Sequence, residues 1–215
     1  MAPPVAARRI PDSAPRPARG GKGEITRAQI LSAAVEQASA HGFESLTIGS
    51  LAERTGLSKS GLFAHFGSKA ELQMAVLEDA ARQFTDEVFL PALKAPRGLK
   101  RLRALFESWI EWPARANLPG GCPIHVASRE YRHTPGPMHD AVMEREKLLA
   151  RELRKAVNLA IEAGELAPRT DPDQFAFEMV GLVLVVFQGE MIAGTEEAHR
   201  RGRVAFERLV KNHSA

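Results

Sequence analysis

The chain has 215 residues, 44% of them apolar, which is enough for one large folded unit or for a small and a medium one. Its formal net charge of +3 is mildly basic, compatible with a polyanionic partner without requiring one. A single cysteine, Cys122, excludes an intramolecular disulfide, and the N-terminus carries no apolar run of the secretory kind, so a reducing, cytoplasmic setting is expected.

Residues 1–23 form a leader rich in Pro, Ala, Gly and Arg. Pro3, Pro4, Pro11, Pro15 and Pro17 block regular structure, so disorder is expected there. Arg8, Arg9, Arg16, Arg19 and Lys22 stand against a single Asp12; a solvated leader and a basic arm lying along DNA are both open readings. From Thr26 the pattern turns helical, with Ile30, Leu31, Ala34, Val35 and Ala38 on one face and Gly42 as the stop. Thr47 is placed to cap a short second helix that Gly56 ends, Ser58 to cap a third, and Ser68 to cap a fourth that runs toward Pro91.

Gly98–Glu111 is amphipathic, and Pro113 is expected to interrupt it. A short helix surrounds His125–Tyr131 and a long charged one spans Met138–Ala163. Asp171 caps a helix over about Pro172–Ala193, and Glu196–Lys211 is the last. Gly181–Phe187 passes for a buried strand when read alone, but the helical run around it argues for a helix. The longest apolar stretch, Met179–Phe187, is about half of what a membrane helix needs, so no membrane partner is expected. The expected fold is all-α.

The informative stretch is Leu46–Leu72: a short helix, a tight turn around Thr55–Ser58 and a second short helix, the spacing of a helix-turn-helix. Ala52 is small enough for the helices to approach, Gly56 allows the turn, Leu57 plugs the gap, and Leu62 and Phe66 fix the second helix to the core. Its other face offers Ser58, Lys59, Ser60 and His65 to phosphates and base edges. Between Glu24 and Ala70, four basic residues meet four acidic ones, so affinity depends on placement rather than bulk charge.

ILSAAVEQASAHGFESLTIGSLAERTGLSKSGLFAHFGSKAELQMAVL resembles the DNA-binding region of the TetR family of regulators. The resemblance covers about residues 25–75. It implies a three-helix DNA-binding domain over 24–70 and a helical ligand-binding and dimerisation domain over 71–215. It also implies a phosphate contact for Thr47, and base reading by Ser58, Lys59 and Ser60 at the start of the recognition helix. Gly61 would allow close approach to DNA. Phe63 replaces a frequent tyrosine, so a hydroxyl contact is missing there. His65 and Lys69 match phosphate-contacting positions, and Thr26 and Arg27 would reach the backbone. The implied function is a ligand-responsive repressor acting as a homodimer on a palindromic operator in double-stranded DNA.

Helix 172–193 is apolar almost all round and must be covered on several sides. The resemblance implies that it and the last helix form a four-helix dimer interface. Phe106, Trp109, Trp112, Cys122, His125 and Tyr131 are candidates for a pocket holding a mostly apolar effector, and Trp112–Pro113 for a bend that opens it. One cysteine and scattered histidines do not make a zinc set, and no acid/base or nucleophile constellation stands out; neither metal, cofactor nor enzymatic activity is expected. Two alternatives stay open: an all-helical small-molecule binding protein, and a redox sensor acting through Cys122.

Overall fold

The computed structural model describes residues 22–215, with residues 22–26 as backbone alone. The leader expected to be disordered lies outside the described residues except for Lys22 and Gly23, which belong to the first turn of α1 (Lys22–His41). Among the described residues every regular element is a helix, and the one β-type pairing is an isolated bridge between Leu166 and Ser214.

The apolar face read from α1 is buried as expected, and it packs on α4 (Lys69–Phe84). Between them lie a short 3-10 turn, Phe43–Ser45, then α2 (Ile48–Thr55) and α3 (Lys59–Phe66). Local chemistry fixes these boundaries. Thr47 Oγ1 accepts from Ser50 N and Ser50 Oγ accepts from Thr47 N, a reciprocal cap at the start of α2. Gly56 ends α2 at φ 70°, a left-handed position that a side chain would strain. Ser58 caps α3 by accepting from Gly61 N, and Ser68 caps α4 by accepting from Glu71 N.

Helix α4 runs toward Pro91, as expected, and the helical path continues past it. It passes through a π turn, Thr85–Phe89, into α5 (Leu90–Leu93). A proline at 91 offers no N–H to the carbonyl of Glu87 and would crowd it in a regular helix. The wider turn relieves the crowding, and Arg115 Nη2 donates to Glu87 O at 3.0 Å in place of the missing amide. Pro113 does not interrupt its helix either: α6 (Leu99–Arg115) continues through it. A proline in the last turn leaves few carbonyls unserved, which is why the helix can continue through it.

The remaining helices are α7 (Pro123–Glu130), α8 (Pro137–Glu162), α9 (Pro172–Ala193) and α10 (Thr195–Asn212). Asp171 caps α9 through Asp173 N and Gln174 N. Helices α9 and α10 turn back on each other at Gly194 and pack closely: a Cβ on Gly202 would lie 2.3 Å from Val186 Cγ2. Phe206 of α10 stacks on Phe106 of α6, with ring centroids 4.4 Å apart, and meets Phe175 of α9 edge-on.

One face of α9, with Phe175, Met179, Val183 and Val186, is buried in the bundle. The opposite face leaves Phe177, Val185, Met191 and Ile192 largely exposed. By length and composition α9 is long and apolar enough to cross a membrane, more than the run Met179–Phe187 alone indicates. From Phe175 to Ile192 its charges are Glu178 and Glu190.

Candidate functional site

The α2–α3 pair is built from the inside out. Leu51 and Leu62 are fully buried and Phe66 nearly so, which pins α3 to the core by one face. The other face presents Ser58, Lys59, Ser60, Gly61, Phe63 and Ala64 to solvent, while His65 is half-buried beside Phe66. Phe63 is 57% exposed, unusual for a phenylalanine with no cover. The Ser58 hydroxyl is shared between the cap and Ser60, whose Oγ is 3.2 Å away. Lys59 lies back over the start of α2: a Cβ on Gly49 would meet its Cε at 3.8 Å and Thr47 Oγ1 at 3.7 Å. Thr47, Lys59 and the first backbone N–H groups of α2 therefore converge, an arrangement that favours an anion.

The other candidates are placed differently. Lys69 Nζ donates to Glu44 Oε2 at 2.6 Å and to Glu44 O at 3.0 Å, so its charge is answered within the protein. The Arg27 guanidinium rests 5.3 Å over the Phe66 ring. Thr26 lies in the part of α1 described as backbone alone.

A set of contacts absent from the sequence reading ties α7 to these helices. The Glu130 carboxylate at the end of α7 accepts from Phe43 N and Glu44 N, each at 2.7 Å, and so caps the 3-10 turn that leads into α2. Tyr131 OH donates to Glu44 Oε1 at 2.9 Å, and Gln73 Nε2 donates to Phe43 O at 2.9 Å. Lys69 first and Tyr131 second hold the Glu44 carboxyl below its ordinary range. One step back along the chain, Ser39 Oγ accepts from Gly120 N at 3.0 Å and donates to Gly121 O at 2.8 Å. The contacts of Gly120, Gly121, Glu130 and Tyr131 join residues 81 to 87 apart, so no local pattern announces them.

On its other side α7 lines a cavity. A space of about 170 Å³ is bounded by Phe84, Trp109, Cys122, Ile124, His125, Ser128, Glu146, Leu149, Val180 and Leu184. It shares Phe84, Ile124, Glu146 and Leu149 with a second, more apolar cleft of about 370 Å³ that the π turn and α5 border through Phe89, Leu90 and Leu93. Of the sequence candidates, Trp109, Cys122 and His125 come together here. Phe106 is instead stacked on Phe206, Trp112 is packed fully buried against Phe84, and the Tyr131 hydroxyl is spent on Glu44. Sequence reasoning missed Phe84, Phe89 and Glu146; the last sits in a helix so rich in charges that it reads as solvated.

Burial sets the chemistry of the cavity. It pushes the Glu146 carboxyl up, partly offset by Ser128, and pushes the His125 imidazole down, with Arg129 adding to the effect. It pushes the Cys122 thiol up to about 12, so at neutral pH the sulfur is an unreactive thiol. Labelling of the native protein by Ellman's reagent is accordingly expected to run at least about a hundredfold slower than after denaturation. Fast labelling in the native state would revive the redox-sensor alternative. Among the described residues no three His, Cys, Asp or Glu side chains converge as metal ligands.

Two family models match this architecture. Residues 30–76 match that of the bacterial regulatory proteins of the tetR family, and residues 98–206 that of the tetracyclin repressor-like C-terminal domain. The chain belongs to the TetR family. The first of these models, of bacterial regulatory proteins, spans the helix-turn-helix pair α2–α3.

Among curated TetR relatives, the HTH-type transcriptional repressor AcnR of Corynebacterium glutamicum is 42% identical over 66 residues, 30% of this chain and 35% of that protein. The HTH-type transcriptional activator FasR of Mycolicibacterium smegmatis is 33% identical over 86 residues, 40% of this chain and 39% of its own. The matches thus span little more than a third of the relatives' length. Solved TetR structures extend the likeness in fold. A TetR regulator from Chloroflexus aurantiacus aligns with a TM-score of 0.77 at 23% identity, covering 88% of this chain and 94% of its own. AibR, solved with isovaleryl coenzyme A and operator DNA, aligns with a TM-score of 0.62 at 23% identity, over 75% of this chain and 85% of its own.

Proposed function

We propose that this TetR-family protein is a ligand-responsive repressor that acts in the cytoplasm as a homodimer on a palindromic operator. The observation that carries the ligand response is the position of α7. Ile124, His125 and Ser128 face the cavity, while Glu130 and Tyr131 hold the turn that leads into the helix-turn-helix. A molecule that reshapes the cavity moves a rigid segment whose far end sits on the DNA-reading helices. Coupling then follows from the different affinity of that molecule for the two arrangements. AibR's complex with isovaleryl coenzyme A and operator DNA and SmeT's complex with triclosan favour such a role in relatives of this fold. The AcnR match favours repression over activation.

The domain division follows the same lines, with residues 24–70 reading DNA and 71–215 binding the effector and the second subunit. In this reading Lys59 and Ser60 approach base edges and Gly61 keeps the helix close. Ser58 contributes mainly through its cap. Thr47, His65, Thr26 and Arg27 anchor phosphates, Phe63 packs on sugar, and Lys69 joins them on leaving Glu44. The exposed stripe of α9, Phe177, Val185 and Ile192 with Val204 of α10, is the surface a second copy covers. Covering it also accounts for an apolar helix without a membrane.

The test is an anisotropy titration of purified protein on operator fragments selected from genomic DNA, read with and without candidate ligands. Specific, stoichiometric binding by a dimer that a ligand weakens supports the proposal; binding without sequence preference rejects it. The link itself is tested by Glu130→Ala, which strands the Phe43 and Glu44 amides. It is expected to cost about 1–3 kcal/mol and to reduce the ligand's effect on operator Kd several-fold. Hydrogen exchange should rise at residues 42–46. An unchanged ligand response in a folded Glu130→Ala protein would remove α7 from the route.

A further inference from the structure

We propose that the cavity beside α7 takes a lipophilic organic amine, with an apolar body seated against Phe84, Phe89 and Leu149 and an ammonium group held by the Glu146 carboxylate. This rests on the reading of the cavity as the effector site, and it adds the chemical class of the effector.

The argument begins with Glu146. Its side chain forms part of the wall common to the inner cavity and the outer cleft. No ion pair reaches it among the described residues. Its neighbour Arg145 donates Nη1 to Ala141 O at 3.0 Å on its own helix, and Lys155 is occupied by Glu152 at 2.7 Å. A carboxylate facing an apolar space without a cation carries a desolvation cost that a ligand cation removes.

The other titratable groups of the inner cavity are the Cys122 thiol and the His125 imidazole, and burial holds both toward their neutral forms. Glu152 adds a second carboxylate to the outer cleft, where Arg145 is the basic group. An anionic head group would meet Glu146 with no free cation in the inner cavity to offset it, and a neutral ligand would leave the carboxylate as it is. The aromatic rings point the same way. Phe84 and Trp109 line the inner cavity and Phe89 borders the outer cleft, and aromatic rings attract cations. The outer cleft, about 370 Å³ with Leu90, Leu93, Leu148 and Leu149 around it, suits a hydrocarbon body.

Three probes with one apolar body and different heads decide the matter: phenylbutylamine, phenylbutanol and phenylbutyrate. Each is titrated by calorimetry into full-length protein at neutral pH. The amine is expected to bind at least about tenfold more tightly than the alcohol and more tightly still than the carboxylate. Glu146→Gln is expected to bring amine and alcohol to within about twofold. Affinity for the amine should fall in acid as a proton competes for Glu146. Equal or tighter binding of the alcohol or the carboxylate, no amine binding up to about 1 mM, or an amine preference that survives Glu146→Gln overturns the proposal. If Glu146→Gln fails to fold, the order of the three probes on wild type still decides.

Operator anisotropy with the amine separates this proposal from the reading beneath it. A Glu146-dependent amine preference that leaves operator binding untouched upholds the ligand class and defeats the effector role.

Discussion

Replacing Gly120 by alanine is expected to destabilise the protein by about 2–4 kcal/mol and to loosen its hold on the operator. Gly120 lies between α6 and α7, where the loop presses on the end of α1. A Cβ there would stand 1.7 Å from Ser39 O and 2.5 Å from Ser39 C. Both are backbone atoms and have no rotamer to escape into. The loop would have to lift, breaking the pair of hydrogen bonds that Ser39 Oγ makes with Gly120 N and Gly121 O. For a chain of this size the cost corresponds to a fall in melting temperature of roughly 5–15 °C. A thermal melt followed by circular dichroism checks the first part and operator anisotropy the second. An unshifted melt would mean that the loop can move off α1 at no cost.

The second large effect is expected at Lys59. Its stem and ammonium lie beside Gly49 in the first turn of α2, next to Thr47 Oγ1, where a helix N-terminus and a cation together favour an anion. In a homodimer each substitution counts twice. Lys59→Ala is expected to weaken operator binding by about 2–4 kcal/mol for the pair of sites, roughly thirtyfold to several-hundredfold in Kd. The salt dependence tells what was lost. If Lys59 neutralises phosphate, the slope of log K against log salt should shrink by about two for the dimer; if it reads a base, discrimination between operators should fall instead. Circular dichroism should be unchanged, since Lys59 is exposed and makes no cap. A Lys59→Ala protein that binds with wild-type affinity and salt slope removes this residue from the interface.

The parts legible in the sequence were those decided within a turn or two of chain. Thr47, Ser58, Ser68 and Asp171 cap the helices assigned to them because a cap is a contact over two or three residues. The turn at Gly56 is equally local. Pro113 was expected to interrupt its helix, yet α6 continues through it; a proline removes one donor, and a replacement can lie outside the local pattern. For Pro91 the replacement includes Arg115, on another helix. The cavity was half legible. Trp109, Cys122 and His125 were found by residue type, but Phe106 and Tyr131, chosen on the same grounds, answer to partners distant in sequence. Glu146 was hidden among the charges of α8, and the contacts of Glu130 and Gly120 exist only once the chain has closed on itself.

Helix α7 is eight residues long, so its two ends are separated by roughly 12 Å. Along it the residues that line the cavity, Ile124, His125 and Ser128, are distinct from those that grip the 3-10 turn, Glu130 at its last position and Tyr131 just beyond. Input and output are therefore written in separate letters of one short word. If the cavity is the effector site, substitution of the first letters would change what fits there while the last two keep their hold on the turn before α2.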